Sequence, residues 1–359
     1  MNNMSKKFIQ EIRSSSPLRI NDIGGWSDTW FARKGAVLNI AVGPPVKVRI
    51  KAFEQSKEEG SRVLIHAKDY QESFYFDPER PDYKVHPIIQ GTVSSFKIPP
   101  EIFLEITIAS SHPAASSMGT SAAVCVALLG GLDALVSTGL SPQEIVSKAL
   151  RVETHKLKLQ SGIQDQIAAV YGGICFIDMF SYPNAAVEKL SLDENIRKQL
   201  EKRLISVYLG DAHSSSALHE QVIQTLEKGG PGLKQLKKMR SLARKAKQAL
   251  QAGDLIEYGS LMVENNECQR LLHPDLISKK ADEVIKTAKE FGAAGWKVNG
   301  AGGEGGSISI LSGPEKEVRD KMLLNFNSLG KGIRVLSLYF SKTGLAVETT
   351  AVDSNLNYS

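Results

Sequence analysis

Small, hydroxylated residues that run straight into an apolar segment suit the binding of phosphate, and "HPAASSMGTSAAV", residues 112–124, has that form. A helix N-terminus leaves backbone N–H groups unpaired and carries partial positive charge. Small side chains at Ser116, Ser117, Gly119, Thr120 and Ser121 let that backbone approach an anion closely, and hydroxyls can also reach a bound Mg²⁺. An ordinary capped helix with small residues packed at its start has the same signature. Further on come Glu153 and then "QSGIQDQIAAVYGG", which holds Asp165. One carboxylate near a phosphate can ligate Mg²⁺, and a second can take or orient the proton of an attacking hydroxyl. Solvent-facing acids on helices read the same way. The stretch "SPLRINDIGGWSDT", residues 16–29, supplies Arg19, which can neutralise transition-state charge or hold the base, and Asp28, which can bind sugar hydroxyls. Its bland reading is a strand leading into a turn.

These groups need elements to position them. Residues 17–110 read mostly as strands: "PLRI", "AVLNIAV", "VKVRIKAF", "RVLIHAK", "ESFYF" and "IFLEITIAS". The polar tract "EQSKEEGSR" predicts a hairpin turn between two of them. Ser121 to Ser137 reads as a buried helix, and Ser141-Pro142 starts another that runs toward Lys158. A third short helix fits Gln164 to Tyr171. The second half opens with a strand, Arg203 to Asp211. A basic helix follows, with Leu233, Leu236, Met239, Leu242, Ala243, Ala246 and Leu250 at helical spacing. Strands "SISIL" and "RVLSLYF" come near the end. Strands and helices mix without strict alternation, which predicts an α+β fold. The expected boundary lies near residue 195, dividing the chain into 1–195 and 196–359.

Gly300, Gly302 and Gly305 fit G-x-G-x-x-G, but a strand, Ser307-Ile308-Ser309-Ile310, follows them where a dinucleotide turn needs a helix. The glycines therefore do not read as an NAD site. The chain has 44 basic and 39 acidic residues, a net charge of +5, which allows anionic ligands without demanding nucleic acid. Cys125, Cys175 and Cys268 are far apart, which suggests reduced thiols and a cytoplasmic setting. No stretch has the length of a signal-peptide core or membrane span, so no membrane partner is expected. His112, His155, His213, His219 and His273 lack metal-ligand spacing, and His213 and His219 read as solvated loop residues. Lys234, Lys237, Lys238, Arg240, Arg244, Lys245 and Lys247 read as the wet face of the basic helix.

Together the four stretches resemble the GHMP kinase superfamily, which includes galactokinase, homoserine kinase and mevalonate kinase. Pro17, Arg19, Asn21, Ile23, Gly24 and Asp28 match P-G-R-V-N-L-I-G-E-H-T-D, and Gly119, Thr120 and Ser121 match the phosphate loop P-x-x-x-G-L-G-[ST]-S. Gly162, Asp165 and Gln166 match G-x-x-D-Q, and Gly300 to Gly305 match G-A-G-G-G-G except at Glu304. Ser117 and Met118 also depart, standing where the family has glycine and leucine. Walker A, HRD and DFG signatures are absent. "GGWSDT", "MGTS" and "QDQ" resemble the sugar 1-kinases, including L-fucokinase and heptose 7-phosphate kinase.

The resemblance implies a ribosomal-protein-S5-like N-terminal domain and a ferredoxin-like C-terminal α/β sandwich. It implies ATP and Mg²⁺ as cofactors. The phosphates would lie on Ser116, Ser117, Met118, Gly119, Thr120 and Ser121, beside Gly300, Gly302 and Gly303. Ser121 and Glu153 would hold the metal, while Asp165 would act on the acceptor hydroxyl with Arg19 restraining it. Gly25, Trp26, Asp28, Gly162 and Gln164 would face the sugar or sugar phosphate. The rivals are a non-catalytic sugar or nucleotide sensor, a kinase for an alcohol such as mevalonate, and a nucleic-acid binder, the last without an aromatic platform. Assembly as monomer or homodimer stays open.

Overall fold

Valine and isoleucine spaced along the first half help build two strands of more than usual length, β1 (Phe8–Ile23) and β2 (Gly35–Glu54). The structure is a computed structural model and describes residues 7–55, 60–113, 115–210, 216–227 and 232–351. After β2 come β3 (Val63–Ala67), β4 (Glu72–Phe76), α1 (Pro87–Val93), β5 (Ile102–Ala109) and α2 (Thr120–Val136). Then follow α3 (Pro142–Arg151), α4 (Gln164–Tyr171), β6 (Ile174–Ser181), β7 (Asn184–Lys189) and α5 (Glu194–Arg203). The remainder is β8 (Leu204–Tyr208), α6 (Ser216–Glu227), α7 (Gly232–Ala252), α8 (Leu255–Leu272), α9 (Lys279–Glu290), β9 (Gly295–Val298), β10 (Ser307–Leu311), α10 (Lys316–Ser328), β11 (Arg334–Leu336), β12 (Tyr339–Phe340) and β13 (Ala346–Ala351). The mixture is α+β.

One sheet runs β13-β1-β2-β5-β3-β4, with β6 and β12 also on β2 and β7 on β6. The first half of β2 pairs with β6 and the second half with β5, so this one strand carries two sheet segments. The second sheet runs β11-β8-β10-β9 and packs α9 and α10 through Val207, Val284, Ile308, Ile310, Met322 and Phe326. Helix α2 is buried from Ala122 to Leu135 and lies on β1 and β2, where Ser14 Oγ donates to the Ala127 carbonyl at 2.6 Å. The apolar stripe of α7 packs on β2 and α8. Each of its fully buried leucines contributes about 1.5–3 kcal/mol, which suffices to hold so charged a helix in place.

Three elements differ from the sequence reading. The tract before β3 is not a hairpin turn, because β5 lies between β2 and β3 and pairs with β3 in parallel; residues 56–59 of the tract lie outside the described residues. The helix from Pro142 does not run on unchanged. Its start is fixed by a capping box between Ser141 and Glu144, but after Arg151 it widens into a π-helical turn, Val152–Lys156. The segment "RVLSLYF" splits into β11 and β12, which join different sheets, and β13 then pairs with β1.

Candidate active site

A cavity of about 770 Å³ opens where β1, the loop before α2, the π-helical turn, the start of α4 and the glycine loop after β9 converge. Arg19 comes from β1, the central strand of this junction, and is 5% exposed. Its backbone N–H donates to the Met118 carbonyl at 3.0 Å, tying the strand to the loop before α2. Its guanidinium grips Asp165 with both arms, Nε to Oδ1 at 2.8 Å and Nη2 to Oδ2 at 3.2 Å, and donates Nη1 to the Ser117 carbonyl. Burial alone would lower the Arg19 pKa, but Asp165, Asp22 and Asp28 more than offset it and keep the side chain charged. Bidentate geometry fixes the Asp165 carboxylate in orientation as well as position.

Gly119 begins α2 with φ +72°, and a Cβ there would lie 3.2 Å from both Cγ and Oδ2 of Asp165. That close approach requires glycine and sets the first turn of α2 beside the carboxylate. Ser117 also has a left-handed φ of 55°, the region that favours the glycine of the family pattern. Met118, where the pattern has leucine, is fully buried and contributes its carbonyl rather than a polar side chain.

Two carboxylates beside this pair are held in a more protonated state. Glu153 projects from the π-helical turn, a device that re-aims a helical side chain. It is 6% exposed, and Gln166 Nε2 donates to its Oε2 at 2.9 Å, while Oε1 has no partner. Burial, reinforced by the Asp165 charge, pushes it up to about 7. Asp28 accepts from the backbone N–H groups of Ile163 and Gln164 at 2.9 and 3.0 Å, so it caps the approach to α4. Burial and the neighbouring Asp165 still raise it to about 6. A Cβ on Gly162 would meet Asp28 Oδ2 at 2.2 Å, so this capping contact needs the glycine.

The sequence reading missed an ion pair at the centre of the assembly. Lys297 of β9 donates to Asp22 Oδ1 at 2.9 Å, and both side chains are 1% exposed. The Gly300 N–H and the Gln164 side chain also donate to Asp22, at 3.0 and 3.2 Å. Burial would raise the Asp22 pKa, but Lys297 and Arg19 outweigh it and hold the carboxyl below its usual range. Asp22 thus joins β1, α4 and the glycine loop at one carboxylate. Asn299 adds a second tie, accepting from Asn21 N at 2.9 Å while its Nδ2 donates to Ser307 Oγ at 3.0 Å. The only sequence signal for the pair was a lysine inside an otherwise apolar strand, "GWKV".

Most of the expected site residues gather around the cavity: Arg19, Trp26, Asp28, Ser116 to Ser121, Glu153, Gly162, Gln164, Asp165 and Gly300 all line it. Gly25, Gly302 and Gly303 do not. Gly25 packs against Asp22, with its Cβ position 2.4 Å from Oδ2. Gly302 packs on the Leu276 carbonyl, and Gly303 N donates to the same carbonyl at 3.1 Å. Glu304 is exposed and outside the lining. Residues 211–215, with His213, lie outside the described residues, as does the side chain of His219.

A helix start beside a clamped carboxylate, a buried glutamate with one oxygen unpartnered and a glycine loop suit a phosphate-handling site. The family model described as the GHMP kinases N terminal domain matches residues 88–173, and the one described as GHMP kinases C terminal matches residues 246–329. The chain carries GHMP kinase N- and C-terminal domains, and its fold is that of the GHMP kinases. It is similar to the bifunctional fucokinase/GDP-fucose pyrophosphorylase of Arabidopsis thaliana, 26% identical over 324 residues, or 85% of this chain and 30% of that protein. It is also similar to D-glycero-alpha-D-manno-heptose 7-phosphate kinase of Campylobacter jejuni, 23% identical over 322 residues, or 86% of this chain and 91% of that one. The chain thus spans less than a third of the fucokinase relative and nearly all of the heptose kinase. Among solved structures, a D-glycero-D-manno-heptose 1-phosphate kinase from Bacteroides thetaiotaomicron superposes with a TM-score of 0.72 at 23% identity, covering 94% of this chain and 98% of that one.

Proposed function

We propose that the protein is an ATP- and Mg²⁺-dependent kinase that phosphorylates a small sugar at its anomeric hydroxyl. The observation that carries this reading is the bidentate Arg19–Asp165 pair set against the first turn of α2. Similarity to sugar kinases and the sugar 1-kinase motifs support the acceptor class. The residues present suit Mg²⁺. Glu153 Oε1 and Thr120 Oγ1 are buried oxygens without partners on the cavity wall, and Mg²⁺ takes one or two protein oxygens together with substrate phosphates.

Bound MgATP would supply the phosphoryl group and the metal's charge. Backbone N–H groups of residues 118–121, with the Thr120 hydroxyl, would hold phosphate oxygens. Ser121 and Glu153 would hold the metal, with Glu153 ionised for that purpose. Asp165 would accept or orient the proton of the sugar hydroxyl, and Arg19 would fix Asp165 while countering charge on the transferred group. Positioning and electrostatic stabilisation dominate such transfers. Asp28, Trp26 and Gln164 would face the sugar.

Charge favours an uncharged sugar over a sugar phosphate. Asp28, Glu153, Asp165 and Glu220 all line the cavity, Arg19 is committed to Asp165, and Lys158 is the further side-chain ammonium on the wall that carries no acidic partner among the described residues. The test is ADP release from MgATP with L-fucose, D-galactose, L-arabinose, heptose 7-phosphate and mevalonate, with Asp165→Asn as control. Turnover of an uncharged sugar that the variant abolishes supports the reading. Turnover of mevalonate alone, or ATP binding without turnover of any sugar, would sink it.

A further inference from the structure

We infer that the turn following Asp28 carries a second ligand site, for an organic phosphate with a flat apolar body such as a nucleoside diphosphate. Asp28 and Thr29 face the main cavity, whereas the next residues, Trp30 and Phe31, line a separate cavity of about 550 Å³. Its opposite wall is apolar, built from Leu226 of α6 and Leu233 and Leu236 of α7. The Trp30 and Phe31 rings meet edge to face, with centroids 5.1 Å apart, which gives this wall a rigid aromatic surface.

The rim of this cavity is cationic. Among the described residues, Arg33, Lys34, Lys237 and Arg240 line it, no carboxylate does, and none of the four forms an ion pair. Other cations of the same helix behave differently. Lys238 pairs with Glu264 at 3.3 Å, Arg244 with Asp178 at 2.6 Å, and Lys247 with Glu188. All seven cations lie on the exposed or half-exposed face of the helix, as the sequence reading expects, but their surroundings differ. Lys238, Arg244 and Lys247 are docked on acids of neighbouring elements, whereas Lys237 and Arg240 stand around the aromatic cavity.

An occupant must bring apolar surface for the rings and leucines and more than one negative charge for the rim. A lone inorganic anion leaves the apolar wall in water, and an uncharged aromatic leaves the cations unanswered. A diphosphate ester satisfies both, since guanidinium forks pair phosphate oxygens and rings stack on a planar body. The volume is within the usual range for small-molecule sites.

Titration calorimetry with Mg·ADP as probe tests the inference on three proteins: the unmodified chain, a Lys237→Ala/Arg240→Ala double variant, and Thr120→Glu, which puts an acid in the main phosphate loop. The unmodified chain should bind two equivalents. The double variant should lose one of them while keeping sugar-dependent ADP release, and Thr120→Glu should retain the equivalent that the double variant loses. A single equivalent that survives in the double variant would overturn the second site and leave the kinase reading intact. Two equivalents that both survive there would also overturn it, by placing the extra ligand elsewhere. Absence of any ADP binding to the unmodified chain would overturn the kinase reading as well.

Discussion

Two clusters of buried polar groups share one cavity and are satisfied in opposite ways. Around Asp22, the charged groups all have protein partners: Lys297, the Gly300 N–H and the Gln164 side chain donate to its carboxylate, and Arg19 closes on Asp165 nearby, with Gln164 Oε1 left over. Around Glu153, partners are missing: its Oε1, Thr120 Oγ1 and Ser116 Oγ are buried and make no hydrogen bond. A buried polar group left unpaired costs about 1–3 kcal/mol, so the second cluster is expensive unless a ligand completes it. The contrast separates scaffold from binding surface. The Asp22 cluster joins distant segments into one frame, and the Glu153 cluster is the part of that frame with oxygens left open, which is where the proposed function puts metal and phosphate.

The comparison breaks most readily at Asp165, which pairs with Arg19 and whose charge acts on Glu153. Asp165→Asn keeps the shape and one acceptor for Arg19 but removes the base, and losing a positioned base costs about 10²–10⁴ in rate. Steady-state kcat should fall by that much while the circular dichroism spectrum is preserved. A drop below tenfold would remove Asp165 from the reaction. Next in size is the scaffold. Lys297→Met strands a buried carboxylate and should cost about 3–5 kcal/mol in urea denaturation. Adding Asp22→Leu should recover much of that loss, because a buried pair can be replaced by apolar packing. If the single variant unfolds at the same urea concentration as the parent, Asp22 does not bear on the frame.

What the sequence made legible follows the same division. Arg19 and Asp165 could be read because each sits in a short local pattern, and α4 runs over the expected Gln164–Tyr171 because its start and glycine stop are local too. Asp22 and Lys297 could not, since they are 275 positions apart and each looks ordinary among its neighbours. The parallel pairing of β3 with β5 was hidden for a similar reason. A polar tract between two strands looks like a hairpin turn whether or not a later strand inserts between them. The π-helical turn left no local mark either. One extra residue in a helical turn alters where Glu153 points without altering the apolar periodicity.

The open cluster gives a smaller, pH-dependent effect. Glu153 has its folded pKa raised to about 7 by burial, so between its unfolded value and 7 the folded state holds more protons than the unfolded one. Stability of the ligand-free protein should therefore fall as pH rises through that window, by on the order of 1–3 kcal/mol. Glu153→Gln keeps the Gln166 contact and removes the titration, so its stability should be flatter from pH 5 to 8. Mg²⁺ should oppose the trend in the parent chain, binding more tightly above pH 7 where Glu153 is ionised, and should lose that pH dependence in the variant. Parallel slopes for the two proteins in thermal melts would assign the open oxygen some role other than metal binding.

The finest distinction lies in the loop where the clusters meet. Ser117 occupies a left-handed position, φ 55°, at which the family pattern has glycine, and its carbonyl accepts from Arg19. A non-glycine residue there carries strain of about 1–2 kcal/mol, yet serine also restricts the unfolded chain, and a change to glycine gives back about 0.4–1 kcal/mol of that restriction. The two effects oppose each other. Ser117→Gly should move stability by no more than about 1 kcal/mol and leave kcat nearly unchanged, because the loop already has the shape that glycine would give it. The Ser117 hydroxyl does reach Gly306, where a Cβ would lie 2.5 Å from Oγ. A large loss of kcat in this variant would therefore show that the serine side chain, and not the backbone bend alone, sets the glycine loop against the phosphate site.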